Sequence, residues 1–182
     1  MSRKYCVFLR GINVNGISIK MDALKEAFRQ MNFSQVQTVL ATGNIIAVPP
    51  EESAGEDQLK ALIEAGLSAY FQYDAHVFLY SGDEIAHIHA SAQSISVPEG
   101  CHLYVLLCDD TEALTQLSQL FASMPRGEQE QWIVSPHGAF WIVPKGSTLS
   151  SEFGSKALGD KRYKSKLTSR NMNTIEKIYK ML

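Results

Sequence analysis

The order in which two hydrophobic periodicities alternate restricts the fold of this chain more than any other feature. Tyr5–Leu9 is a short apolar run of strand length, and Met21, Leu24, Phe28 and Met31 then recur at helical spacing. Two β-rich runs follow, Val36–Leu40 and Ile45–Val48, divided by the turn cluster Ala41-Thr42-Gly43-Asn44 and closed by Pro49-Pro50. Leu59, Leu62, Ile63 and Leu67 mark a second amphipathic helix, and His76–Tyr80 supplies a closing apolar strand. Strand, helix, strand, strand, helix, strand is the split βαβ order of a ferredoxin-like unit, an antiparallel four-stranded sheet with both helices on one face.

Beyond residue 80 the theme repeats loosely. A helix begins near Asp83 and carries Ile85 and Ile88, and Leu103–Cys108 is apolar almost throughout, which predicts a buried central strand. Asp109-x-x-Glu112 has the spacing of a helix start, with Leu114, Leu117, Phe121 and Met124 on one face of the helix behind it. Trp132–Val134 and Ala139–Val143, joined by Ser135-Pro136-His137-Gly138, predict a β-hairpin. From Pro144 to Ser169 the polar composition reads as loop, short helix or both. Asn173-x-x-Glu176 then has capping-box spacing ahead of a last apolar stripe, Ile175, Ile178, Tyr179 and Leu182. The fold class expected is α+β: a ferredoxin-like βαββαβ unit over residues 1–80, and a second related unit over 81–182 with a basic C-terminal segment and helix. The two are expected to pack as one body, with the duplication resting on pattern order.

A hydrophobic fraction of 45% with 20% charged residues is that of a globular chain and excludes general disorder. No run approaches the roughly 18 apolar residues of a membrane span. The Tyr5–Leu9 run is too short for a signal-peptide core and meets Arg10 at once. Three widely spaced cysteines suit reduced thiols, so a cytoplasmic location is expected. The net charge of -2 hides a segregation: residues 1–50 carry +4, residues 51–155 carry -12 and residues 156–182 carry +6. Either surface charge varies by chance along the chain, or the two basic ends gather around an anion.

The head, Phe8-Leu9-Arg10-Gly11-Ile12-Asn13-Val14-Asn15-Gly16, turns an apolar strand into a polar, glycine-flanked loop. Arg10 offers a planar five-donor fork suited to carboxylate or phosphate, and Asn13 adds an amide. In a ferredoxin-like sheet strands one and three are adjacent and antiparallel, which brings the Gly43-Asn44 turn to the Arg10 end. Thr168, Ser169, Arg170 and Asn171 stand just ahead of the last helix, whose N-terminal N–H groups and dipole favour an anion. Arg10, Asn13, Gly43, Asn44, Arg170 and Asn171 are therefore the candidate ligand-binding residues, for a small phosphate-bearing or nucleotide-like anion. Against this, Gly43-Asn44 can simply serve a hairpin and Arg10 can pair with a carboxylate.

Other chemistries have less behind them. An enzyme acting on a phosphorylated substrate at the same cleft needs an acid or base, and Asp22, Glu26 and His137 have no motif around them. Asp22 is more simply a first-turn charge favourable to the helix dipole. A nucleic-acid or protein interaction module would use Lys156, Lys161, Arg162, Lys164, Lys166 and Arg170 with Tyr163 for stacking, although the sequence pI near 6.2 is not that of a dedicated nucleic-acid binder. His87 and His89 lie two apart on a helix and diverge, so no metal site is expected. Cys6 and Cys108 read as small core residues, Cys101-His102 as a weakly supported reactive pair. Neither a Gly-x-Ser-x-Gly elbow nor a phosphate-binding Gly-x-x-x-x-Gly-Lys-Ser/Thr loop occurs, and no cofactor is expected.

Taken jointly, the Phe8–Gly16 head, Met21 and Leu24, Asn32-Phe33, Thr42-Gly43-Asn44-Ile45-Ile46 and Thr168-x-Arg170-Asn171-x-x-Thr174-x-x-Lys177 resemble the bacterial DUF1697 family of uncharacterised proteins. The resemblance implies a ferredoxin-like α+β protein with an internal duplication, soluble and cytoplasmic, and brings no established activity. The chain departs from the family pattern at Asn15, Thr42 and Met172, where glycine, serine and tryptophan are common.

Overall fold

Strand β1 (Tyr5–Arg10) is buried over all but its last residue, because it has neighbours on both sides: β3 (Asn44–Val48) and β4 (His76–Ser81), both antiparallel. The computed structural model describes residues 3–10, 12, 18–51, 55–163 and 165–182. With β2 (Ser34–Thr38) beside β3, the first sheet has the order β2-β3-β1-β4. Alternation along β1 sends Tyr5, Val7 and Leu9 to one face, where they pack with Leu24 and Phe28 of α1 (Met21–Gln30) and Ile63 and Leu67 of α2 (Glu56–Phe71). Cys6, Phe8 and Arg10 point to the face without these helices. The predicted βαββαβ unit is present as read.

Two local details differ from the sequence reading. β2 ends at Thr38, so Val39 and Leu40 belong to the turn: the Val39 N–H donates to the Asn44 carbonyl at 2.9 Å, and Leu40 takes a φ of 59°. β2 itself is irregular, with a register shift between Ser34 and Gln37.

After α3 (Gly82–Gln93) the second sheet is built around β5 (Cys101–Cys108), paired with β7 (Gly138–Pro144) and β8 (Leu167–Asn171) in the order β6-β7-β5-β8. β6 (Gln131–Ser135) joins β7 through the two-residue turn Pro136-His137. α4 (Thr111–Ser123) and α5 (Glu152–Leu158) share one face, where Leu117, Phe121 and Phe153 meet Leu106 and Trp141. β8 falls in the stretch read from sequence as loop or helix; an edge strand needs a single ladder, and its polar residues hid it. A 3-10 turn (Lys161–Tyr163) precedes it and α6 (Met172–Tyr179) follows. Two caps also shift by a residue or two. Asp110, and not Asp109, accepts from the N–H groups of Glu112 and Ala113 at 2.9 and 3.1 Å. Asn171, and not Asn173, caps α6, its Oδ1 accepting from Asn173 N at 2.9 Å.

The two sheets are copies of one topology, and their registers match when Tyr5 is set against Tyr104, an anchor that also aligns the first residues of the helices behind them, Gly82 and Met172. Ser81 pairs with Tyr5 as Asn171 pairs with Tyr104, and Ala47 pairs with Tyr5 as Trp141 pairs with Tyr104. Counting on from these anchors aligns Ile85 and Ile88 of α3 with Ile175 and Ile178 of α6, all four fully buried. Sequence order alone suggested the duplication; this Ile-x-x-Ile identity becomes visible only once the strands are in register. By contacts, one unit comprises Met1–Ile85 with Lys177–Leu182, and the other Ala86–Glu176. Among the described residues no helix is long and apolar enough to cross a membrane.

Candidate functional site

The head motif ends β1 with a charged residue on the face of the first sheet opposite α1 and α2. Arg10 lies directly opposite His76 in the β1–β4 register, so the two side chains are cross-strand neighbours on that face. His76 in turn contacts Asp74 Oδ2 through Nε2 at 3.1 Å. Arg10 is half-buried, and burial pushes its guanidinium pKa down from the ordinary value, though an arginine stays charged at neutral pH. Of the residues behind it, Ile12 is described and buried; Gly11, Asn13 and 14–17 lie outside the described residues, and the Asn13 expectation with them.

Gly43 and Asn44 reach the Arg10 end as strand adjacency predicts. The Leu9 N–H donates to the Gly43 carbonyl at 2.8 Å, and Phe8 pairs with Asn44. Gly43 has a φ of 70°, and a Cβ there would lie 2.5 Å from Ile12 Cδ1 and 3.0 Å from Leu9 Cβ. Its lack of a side chain is what lets Ile12 pack over the turn. Asn44 is fully buried, and its Nδ2 donates to the Val39 carbonyl at 2.9 Å and to Thr42 Oγ1 at 2.8 Å. Together with Val39 N on the Asn44 carbonyl, these bonds close the turn from within. Asn44 thus spends both amide hydrogens on the backbone geometry that positions Gly43.

Arg170 and Asn171 belong to the second unit. They are consecutive on β8, so strand alternation sends them to opposite faces: Arg170 is opposite Val105, and Asn171 is opposite Tyr104 on the face of α4 and α5. Arg170 Nη1 donates to Thr168 Oγ1 and to the Ser169 carbonyl, each at 2.8 Å. The basic segment before it is largely matched to local carboxylates: Lys156 with Glu152 at 2.7 Å, Arg162 with Asp160 at 2.7 Å and Lys166 with Asp110 at 2.9 Å. Tyr163, read from sequence as a base-stacking ring, is buried in the core of the second unit.

Sequence reasoning missed the clefts, among them one of about 510 Å³ in the first unit, lined by Arg3, Tyr5 and Asn32, and one of about 260 Å³ in the second. His89 from α3, His102 from β5, and Asn171 and Glu176 from the β8–α6 junction line the second-unit cleft. His89, His102, Asn171 and Glu176 each stand out in the sequence for other reasons, but they come from separate elements with no shared motif to join them. His87 does not line this cleft, as its two-residue spacing from His89 predicted, and stacks instead on His137 at 4.6 Å between ring centroids. Among the described residues no group of three or more His, Cys, Asp or Glu is placed to hold a metal ion. The thiols are core groups: burial pushes Cys6 up to about 12 and Cys108 up to about 11, far from thiolate at neutral pH. Cys101 and His102, on successive strand positions, face apart.

A family model described as "Protein of unknown function (DUF1697)" matches residues 1–137. No curated protein matches the chain. Among solved structures, that of the conserved bacterial protein SP0830 from Streptococcus pneumoniae is similar at 19% sequence identity with a TM-score of 0.78. The match covers 100% of this chain and 99% of that one. At that identity the likeness is one of fold.

Proposed function

Since the chain belongs to the DUF1697 family, whose description assigns no activity, we propose from the site itself that the protein binds a small phosphate- or carboxylate-bearing anion at the Arg10 end of its first sheet. The observation that carries this reading is the half-buried guanidinium of Arg10, on the last residue of a central strand. A cation held out of water gains more from a bound anion than an exposed one does, and a planar fork recognises phosphate and carboxylate by two parallel bonds. In this reading Gly43 and Asn44 are scaffold: they hold the turn against which Ile12 rests. The local pairing of the basic C-terminal segment and the burial of Tyr163 leave the nucleic-acid alternative without support of this kind.

The test is thermal shift with inorganic phosphate, nucleoside monophosphates and sugar phosphates. One of these should raise the melting temperature of the wild type and leave that of Arg10→Gln unmoved. A panel without effect on the wild type, or an equal effect on Arg10→Gln, overturns the proposal. Arg170→Ala, measured alongside, reports whether the second arginine contributes. Turnover of a phosphorylated compound is a second reading, favoured by His76, on the strand beside Arg10, and its partner Asp74 just ahead of that strand. Binding without release of phosphate, with and without Mg²⁺, rules it out.

A further inference from the structure

The two sheets have four edges, and three of them carry a device that discourages strand addition. On β4 the outward N–H of Val77 is taken by Glu64 Oε1 at 3.0 Å. β2 has its bulge between Ser34 and Gln37, with Gln35 at a φ of 51°. On β8 the Arg170 guanidinium covers the Ser169 carbonyl. β6 has no such device: Gln131-Trp132-Ile133-Val134-Ser135 contains no charge and no proline, and its register with β7 is regular from Gln131 to Ser135.

Hairpin parity fixes which groups this edge presents. A two-residue turn makes Ser135–Gly138 a hydrogen-bonded pair, and alternation makes Ile133–Phe140 and Gln131–Ile142 the next ones. The N–H and C=O of Trp132 and Val134 therefore point away from β7. Val134 is 60% exposed, the most open of the β-strand apolar residues.

We propose that β6 is a self-association edge, to which a second copy of this chain adds its own β6 antiparallel about a two-fold axis at Ile133. The strand is its own complement in that register. Trp132 lies opposite the partner's Val134 and exchanges both main-chain bonds with it, Gln131 lies opposite the partner's Ser135, and Ile133 meets the partner's Ile133. An aromatic residue across from a β-branched one is a favourable cross-strand pair, polar ends meet polar ends, and no like charges are brought together. The palindromic polar–apolar–apolar–apolar–polar pattern selects a second copy over an unrelated extended segment, which would need no such symmetry in β6. Two sheets then become one continuous sheet across the dimer axis.

Sedimentation velocity over a concentration series tests this with the full chain. The wild type should show a concentration-dependent dimer, and Val134→Lys, at an exposed position and with unchanged far-UV circular dichroism, should weaken it about 10-fold or more by setting a charge on the edge. A second variant makes the geometry itself measurable. Ile133–Ile133 would be a non-hydrogen-bonded pair with Cα atoms about 4.5 Å apart, within disulfide range. Ile133→Cys should therefore form a disulfide dimer on oxidation beyond the wild-type background, and Gln131→Cys, facing Ser135, should not. A wild type that stays monomeric throughout, a dimer indifferent to Val134→Lys, or equal cross-linking of the two cysteine variants overturns the proposal.

Discussion

Asn44→Ala separates the structural account of the turn from a ligand-binding one. The wild-type side chain is fully buried and gives one amide hydrogen to the Val39 carbonyl and the other to Thr42 Oγ1. Thr42 is exposed and its hydroxyl can return to water, but Val39 is 4% exposed and its carbonyl cannot follow. The truncation therefore leaves one buried acceptor unsatisfied, a cost of about 1–3 kcal/mol, with a small void added, and a loss of about 2–3 kcal/mol in all is expected. With a urea m-value of about 2 kcal/mol/M, the midpoint should fall by about 1–1.5 M. The transition is best followed by far-UV circular dichroism, because both tryptophans, Trp132 and Trp141, lie in the second unit and Asn44 in the first. Asn44→Asp should be worse at neutral pH, where a carboxylate faces the Val39 carbonyl, and should recover as acid protonates it and restores a donor. A midpoint moved by less than about 0.25 M, equivalent to about 0.5 kcal/mol, would refute the turn-closing role. Lost phosphate binding with that unchanged midpoint would place Asn44 on the ligand instead.

Other expected outcomes follow from the same structure. Gly43→Ala combines a left-handed backbone angle costing about 1–2 kcal/mol with the displacement of Ile12 and Leu9, so a total loss of about 2–4 kcal/mol is expected in the same urea assay, and a change near zero would contradict the packing described. Tyr73 has a hydroxyl that is buried without a partner among the described residues, and burial together with Asp74 and Glu64 pushes its pKa up to about 12. Tyr73→Phe should raise stability by about 1 kcal/mol, and a loss of that size in thermal unfolding would reveal a bond to the hydroxyl. Asp110 is held below the usual carboxylate range, first by its hydrogen-bonded Lys166 and then by the N–H of Ala113. A depressed folded-state pKa stabilises above the unfolded value, about 3.9, and that stabilisation drains away as the pH falls toward the folded one. The stability difference between wild type and Asp110→Asn should be constant near neutrality and shrink below about pH 4; a difference flat across pH 3 to 7 would contradict it.

The first unit was legible because each element announces itself within a few residues: helical spacing from Met21 to Met31, and β-rich runs on either side of a turn cluster. What escaped the sequence depends on contacts made far along the chain. β8 carries a polar run, Thr168-Ser169-Arg170-Asn171, and is a strand because β5 offers it a ladder. The caps moved from Asp109 to Asp110 and from Asn173 to Asn171 because a capping box fixes spacing but not which of two neighbouring acceptors turns inward. At the candidate site, residue types were readable and their orientation was not. Arg170-Asn171 looked like a single polar motif, whereas a strand places the two on opposite faces. Asn44 looked like a ligand amide, whereas burial of the turn commits it to Val39 and Thr42.

The duplication bears on why the proposed anion site is placed in one copy and not in both. With Tyr5 aligned to Tyr104 and Ser81 to Asn171, the two helices that follow the last strands match at Ile85 with Ile175 and at Ile88 with Ile178. In each copy the last strand residue also caps its helix, Ser81 Oγ accepting from Glu84 N and Asn171 Oδ1 from Asn173 N. These shared features are those that packing and capping demand. Counting along the central strands from the same anchors aligns Arg10 with Asp109, so the charge at the strand end is opposite in the two copies. Asp109 is exposed and adjoins Asp110, the cap of α4, whereas Arg10 is half-buried. Gly43, which makes room for Ile12, has no glycine counterpart either: the aligned position is His137, in the β6–β7 turn. The features that differ are not needed to hold a ferredoxin-like sheet together, since the second copy folds without them. That is the pattern expected if selection on the first copy acts through Arg10 and its turn, and it predicts that Arg10→Asp abolishes phosphate binding while moving the unfolding midpoint less than Gly43→Ala does.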